Sequence, residues 1–301
     1  MRRRTDGEML EMILDFARKD ERVRAVALAG SRVMPDAEPD KYRDFDITFL
    51  VTDIHPFTKD REWIGKFGEM LILQTPDDWY SHPYDYSGQE NFAYLMQFAD
   101  GNRIDLTLVD KVNWHRETPA ERSEPRQVIL NKDGLDYPDV PGEGYYHLER
   151  PGEKEFLDTC NEFWWLSLYV AKALCRRELT LAKHMLDEAQ YPMFFKMLCW
   201  KIGTEKGFGV SVGKRGKYLE RFLSAEEWQK FAGLFAGGDY REMWRSLFGR
   251  CDWFHDMAQE LAGVFGYPYR AEEGKRVREF AGKMRAGELF MRRALEAEKG
   301  S

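Results

Sequence analysis

The sequence predicts an α+β protein, with an N-terminal domain built on a mixed β-sheet flanked by helices and a C-terminal α-helical bundle. Three observations carry this reading. Apolar runs with period-two alternation occur only in the first half of the chain. The second half places its apolar residues at helical spacing. Between them, Pro138 to Gly152 is rich in Pro, Gly and acids and reads as a linker. The expected division is therefore 1–137 for the first domain, 138–152 for the linker and 153–301 for the second. With 301 residues and 43% apolar content, each domain has enough chain for a core of its own.

Met9, Met12, Ile13, Phe16 and Ala17 recur at helical spacing, which predicts an amphipathic helix over Asp6 to Lys19. Ala25 to Ala29 reads as a short buried strand that ends in a tight Gly30-Ser31 turn at the start of a helix. Asp44 to Val51 is a second strand. Trp63, Ile64, Phe67 and Gly68 suggest a short helix before a third strand, Met70 to Leu73. Asn91 to Phe98 and Arg103 to Val109 flank a turn of Asp, Gly and Asn and read as a hairpin, for about five strands in all. From Glu153 onward strand signals vanish. Phe156, Cys160, Phe163, Ser167, Ala171 and Leu174 form one helical stripe. Pro192 is placed to start a further helix and Gly203 to end it. Later helices are expected over Ala225 to Phe235, Tyr240 to Phe265 and Glu272 to Glu298.

The most informative pattern lies in the first half. Eleven residues lie between Gly30-Ser31-Arg32 and Asp44-Phe45-Asp46. Side chains of a strand alternate faces, so Asp44 and Asp46 share one face while Phe45, Ile47 and Phe49 share the other. Two carboxylates ~4 Å apart repel by ~4 kcal/mol at an effective dielectric of ~20. A cation between them removes that cost, and Mg2+ favours one or two carboxylates together with substrate phosphates. The Gly-Ser turn offers backbone N–H groups and a hydroxyl to such phosphates. Asp105 supplies a third acid, sharing its strand face with Thr107 while Ile104, Leu106 and Leu108 take the other. If the two strands are neighbours, Asp44, Asp46 and Asp105 meet as a metal site, and Asp105 can also act as general base on an attacking hydroxyl. Each acid alone reads equally well as a polar residue on a wet strand face. The order Gly-Ser turn, D-x-D, later strand Asp is what gives the set its meaning.

That order resembles the nucleotidyltransferase superfamily that includes DNA polymerase beta. Gly30-Ser31-Arg32-Val33, Asp44-Phe45-Asp46, Gly101-Asn102-Arg103-Ile104-Asp105-Leu106-Thr107 and Cys160-Asn161-Glu162-Phe163-Trp164-Trp165 together resemble the aminoglycoside 6-adenylyltransferases, which act on streptomycin. The similarity runs from the first helix to about Gly203, with weaker matches near Gly213-Lys214 and Lys217-Tyr218. It implies a nucleotidyltransferase domain followed by a helical substrate-binding domain. It also implies Mg-dependent transfer of AMP from ATP to a streptomycin hydroxyl, at position 6, with loss of pyrophosphate and of antibiotic action. Gly30, Ser31 and Arg32 would meet the phosphates. The chain departs from the resemblance at Met34, where Asn is expected, and in the acidic stretch Pro35 to Tyr42. The same chemistry on another aminoglycoside, a lincosamide or a protein hydroxyl is the alternative. A silent binding protein with this fold would gain nothing from clustered acids.

Charge and composition set the company this protein keeps. Through Arg150 there are 30 acids against 20 bases, and in the remainder 22 against 25. An acidic first half argues against nucleic acid as main partner and suits a polycationic small molecule. No apolar run reaches the ~20 residues of a membrane span, and no signal-peptide pattern opens the chain. Cys160, Cys175, Cys199 and Cys251 lie in helical patterns without C-x-x-C and are expected as buried thiols of a cytoplasmic protein, here a monomer.

One helix carries a second pattern. Asp158, Glu162, Trp165, Tyr169 and Lys172 follow one another at steps of four, three, four and three, which aligns them on one face. The acids suit guanidinium or ammonium groups, Trp165 and Tyr169 suit stacking on a flat cation or sugar, and Lys172 suits a triphosphate. Lys214 and Lys217 are further candidates for phosphate. The glycines at 207, 209 and 213 satisfy neither a dinucleotide nor a P-loop motif, and the segment reads as a flexible loop. Lys183, His184 and His255 fall within helical patterns and read as structural.

Overall fold

The alternating first half becomes a six-stranded sheet in the computed structural model of the protein, in the order β3-β4-β5-β2-β1-β6. The strands are β1 (Val23–Ala29), β2 (Phe45–Val51), β3 (Met70–Gln74), β4 (Asn91–Phe98), β5 (Arg103–Asp110) and β6 (Arg126–Asn131). The structure describes residues 2–35, 37–78, 91–114, 124–142 and 145–299, with side chains as far as 287. Asp36 of the acidic loop, and Glu143 and Gly144 of the linker, lie outside the described residues. The chain divides into two units, Met1–Tyr145 and Tyr146–Ser301, at a point inside the linker stretch.

In the first unit every neighbouring pair of strands is antiparallel except β2 and β5, which run parallel with Asp46 opposite Asp105. Helix α1 (Asp6–Lys19) has the predicted bounds because Thr5 and Glu8 form a reciprocal capping box and Arg18 and Lys19 suit its C-terminus. Met9, Ile13, Phe16 and Ala17 turn its apolar face onto the sheet, where Val26, Leu28, Phe45, Ile47, Phe49, Ile104, Leu106 and Leu108 receive it. The short helix α2 (His55–Lys59) and the 3-10 turn Glu62–Phe67 bring Phe57, Trp63 and Phe67 into the same core. Among the described residues, the other sheet face holds a smaller buried cluster of Ala25, Ala27, Leu50 and Tyr137. This second face carries Asp46, Thr48, Asp105 and Thr107, all half-buried. Six strands replace the expected five: the apolar run of β6 is short, and the strand lies at the sheet edge beside β1, with a single bridge from Arg126 to Val140 on its other side.

The turn before β5 is anchored to the chain's first residues. Asp100, whose side chain is 2% exposed, accepts from Arg4 Nε at 2.6 Å, from the Arg4 backbone N–H and from both nitrogens of Asn102. Arg4 also donates to the Phe67 carbonyl at 2.6 Å. Burial alone would raise the Asp100 carboxyl, but the donors of Arg4 and Asn102 override it and hold the group well below the usual carboxylate range. A depressed carboxyl stabilises the fold above its unfolded value of ~3.9 and loses that contribution as pH falls through the folded value. Asp100→Ala is therefore expected to cost about 3 kcal/mol at neutral pH by leaving the Arg4 charge without its carboxylate and the turn without its acceptor. In urea titrations the gap between variant and parent should narrow below about pH 4.

The second unit is built mainly from helices. It contains α3 (Glu153–Cys175), α4 (Leu179–His184), α5 (Tyr191–Lys206), α6 (Ala225–Ala232), α7 (Tyr240–Phe265) and α8 (Ala271–Lys299), with a π-helical turn Met185–Gln190 between α4 and α5. The predicted stripe of α3 is buried in full, and Phe163 stacks on Phe254 of α7 with ring centres 3.7 Å apart. Helix α5 does not stop at Gly203. A Cβ there would meet the Phe208 ring at 2.5 Å, so this glycine makes room for an aromatic, and the helix ends at Gly207 with φ +93°. Lys183 donates to the Ala236 carbonyl and His255 pairs with the Tyr269 hydroxyl, which are structural uses. Cys160, Cys199 and Cys251 are buried, and burial pushes each thiol up to about 12. No helix among the described residues is long and apolar enough to cross a membrane.

Candidate active site

Two strands bring the acids of the first unit to one end of the sheet. The parallel register sets Phe45 opposite Ile104 and Asp46 opposite Asp105, so both acids leave the sheet on the face away from the main core. Asp44 precedes β2 by one residue and continues the same alternation. On the other side β1 ends at Ala29, paired with Asp46, and the chain turns through a three-residue 3-10 segment, Gly30–Arg32. The helix expected after the turn is not found among the described residues, so the turn's own polar groups are what a phosphate would meet.

Gly30 fixes the distance between the two motifs. Its φ is +66°, and a Cβ built on it would fall 1.8 Å from an Oδ atom of Asp46. The Asp46 carboxylate thus rests directly on the glycine, which joins the Gly-Ser turn and the D-x-D pair into one site. Ser31 is half-buried beside it.

The two arginines differ from what the sequence suggested. Arg32 was expected at the phosphates. Its side chain is 7% exposed and is committed elsewhere. It donates to the carbonyls of Arg43 and Asp44 at 3.1 and 2.8 Å, pairs with Asp6 at 2.6 Å, and stacks over Phe45 at 3.5 Å. Arg32 therefore clamps the segment entering β2 and positions Asp44 and Asp46. Arg103 holds both oxygens of Asp105 at 2.7 Å and lies 3.7 Å from Asp44, a site role that the sequence did not suggest. Burial pushes the Asp44 carboxyl up, Arg103 opposes this, and the charge of Asp105 adds to it.

The donor chemistry suits a hard dication, since two half-buried carboxylates and ligand oxygens are what Mg2+ favours. Among the described residues, however, no group of three or more His, Cys, Asp or Glu side chains is gathered as an ion would require. Asp46 and Asp105 are brought side by side by the strand register, and the Arg103 guanidinium bridges Asp105 and Asp44. Met34, the other departure, packs against Gly142, where a Cβ would come within 2.9 Å of its sulfur.

The remaining predicted residues belong to the second unit. Asp158, Glu162, Trp165, Tyr169 and Lys172 all lie exposed along α3, and the Trp165 and Tyr169 rings are 6.1 Å apart. Asp158 pairs with Lys154, and Lys172 lies over the Tyr169 ring. Lys214 and Lys217 are exposed on a tight 3-10 turn, with Lys217 over the Tyr218 ring. Gly213 (φ +71°) lets that turn close against Tyr218.

A sequence model of the streptomycin adenylyltransferase family matches residues 3–284. The chain belongs to this family. It is an enzyme of the adenylyltransferase class. An aminoglycoside 6-adenylyltransferase of Bacillus subtilis strain 168 is 36% identical over 267 residues, covering 88% of this chain and 93% of that protein. One from Campylobacter jejuni is 35% identical over 273 residues, 88% and 91% of the two chains. A crystal structure of the Bacillus subtilis aminoglycoside 6-adenyltransferase is 31% identical over 93% of this chain and 98% of that one, with a TM-score of 0.45.

Proposed function

We propose that this adenylyltransferase transfers AMP from ATP to a hydroxyl of streptomycin, at position 6, and releases pyrophosphate. The observation that carries the reading is the face-to-face pair Asp46 and Asp105 on adjacent parallel strands, with the Asp46 carboxylate seated on Gly30 of the Gly-Ser turn. Asp44 and Asp46 would hold magnesium, with Asp105 as a third ligand when its carboxylate is free. Bound there, the metal would offset negative charge on the transferring and leaving phosphates. Ser31 and the turn backbone orient those phosphates. Asp105 takes the proton of the attacking hydroxyl.

The exposed face of α3 suits the drug. Asp158 and Glu162 offer carboxylates to guanidinium groups, and Trp165 and Tyr169 offer flat apolar surfaces. Lys172, Lys214 and Lys217 are the lysines suited to the triphosphate. The test is pyrophosphate release from ATP and Mg2+ with and without streptomycin. Release that depends on the drug supports the reading, whereas release driven equally by a lincosamide or an unrelated aminoglycoside would reassign the acceptor. Neutralising Asp158 and Glu162 together should raise the KM for streptomycin about tenfold or more, with little change for ATP. Rising salt should weaken the drug's binding in the parent and less so in the variant. Equal effects on both substrates would return this face to a structural role.

A further inference from the structure

The sheet register places four charged side chains in a square. Arg103 stands two residues before Asp105 on β5 and so shares its face, the parallel pairing sets Asp105 beside Asp46, and the guanidinium reaches Asp44, one residue before β2. The guanidinium uses its fork on Asp105, with Nε and one Nη each 2.7 Å from a different carboxylate oxygen. Its Nε is 3.7 Å from Asp44. One positive charge among three negative ones leaves a deficit that matches a dication. While the pair stands, each oxygen of Asp105 accepts from the guanidinium, whose positive charge competes with a cation for the carboxylate.

The two arginines of the site also differ in freedom. Arg32 is buried and held by two backbone carbonyls as well as Asp6, whereas the Arg103 side chain is 40% exposed and, among the described residues, is held by the carboxylates of Asp105 and Asp44. A guanidinium fork fits phosphate as well as it fits carboxylate. We propose that Arg103 is the exchangeable counter-ion of the acid cluster: without ligand it occupies Asp105 and Asp44, and on nucleotide binding it passes to the phosphates and frees Asp105. Metal and nucleotide then bind cooperatively, because each needs the guanidinium moved and the nucleotide gives it a new partner. The inference rests on the adenylyltransferase reading of the site and adds to it a positioning residue that couples the two ligands.

The test uses the full chain with Mn2+ as probe, followed by electron paramagnetic resonance, and an α,β-methylene analogue of ATP that cannot be cleaved. In the parent, Mn2+ alone should bind weakly, and the analogue should tighten it at least tenfold. Arg103→Met should bind Mn2+ alone about tenfold or more tightly than the parent, because a charge-assisted competitor is gone. The analogue should bind that variant more weakly, and the coupling between the ligands should fall toward one. Arg103→Lys, which keeps the charge but not the fork, should move both affinities the same way by a smaller factor, and it serves if the methionine variant does not fold. Unchanged or weaker Mn2+ binding without nucleotide in both variants would overturn the proposal. Asp46→Asn separates this from failure of the underlying reading. If Mn2+ binding survives Asp46→Asn in the parent, the metal is not at this cluster and the proposal falls with the reading. If Asp46→Asn abolishes binding while the Arg103 variants match the parent, only the role of Arg103 falls.

Discussion

Asp46→Ala is expected to lower turnover by about a thousandfold, some 4 kcal/mol of transition-state stabilisation, while the fold survives. Asp46 is half-buried on the thinly covered face of the sheet, and its removal leaves no cavity in the main core beneath Phe45 and Ile47. Its neighbours are Asp105 across the parallel register and Gly30 against its carboxylate. Without it, the proposed metal has one ligand fewer and the Gly-Ser turn loses the group it is built around. Gly30→Ala should reproduce much of the loss from the other side, since the new methyl would occupy the carboxylate's place and φ +66° would be strained for alanine. Steady-state assays at saturating Mg2+, with thermal unfolding as the control for folding, check both variants. An Asp46→Ala enzyme with near-parental turnover would remove the metal from this pair of strands.

How far the sequence led can be judged from particular residues. The hairpin Asn91–Phe98 to Arg103–Asp110 was legible because one face of each strand is apolar and the turn between them is Asp-Gly-Asn. The same alternation placed Asp46 and Asp105 on one face, though not beside one another; that required the parallel pairing. Strand β6 was not legible, since its residues are half-exposed and alternate weakly. Helix α2 has five residues, too few for a period to show. The destinations of long polar side chains were the hardest part. Nothing local says that Arg32 will turn inward to the carbonyls of residues 43 and 44, because its partners lie eleven and twelve residues away. Arg103 did leave a signal. A residue two before Asp105 on a strand must share its face, and an arginine there is within reach of the acid.

Asp105→Asn is expected to lower kcat by a factor of 10²–10⁴, the usual range for loss of a general base, with a smaller effect on the KM for streptomycin. The change is nearly isosteric and keeps an oxygen that can accept a hydrogen bond. It removes the negative charge that Arg103 grips through both oxygens. Two roles for Asp105 then separate experimentally. A base predicts that kcat stays low at any Mg2+ concentration, because the proton of the attacking hydroxyl has nowhere to go. A ligand predicts a raised half-saturating Mg2+ and a kcat that recovers as the metal is added. The exchange of Arg103 makes a further distinction. In Asp105→Asn the guanidinium loses its strongest partner and is left nearer Asp44, so any Mn2+ binding that remains should need less help from nucleotide than in the parent. Low kcat at saturating Mg2+ together with weakened coupling would assign both functions to this one carboxylate. Full recovery of kcat with Mg2+ would leave Asp105 as a ligand only and require another acid as the base.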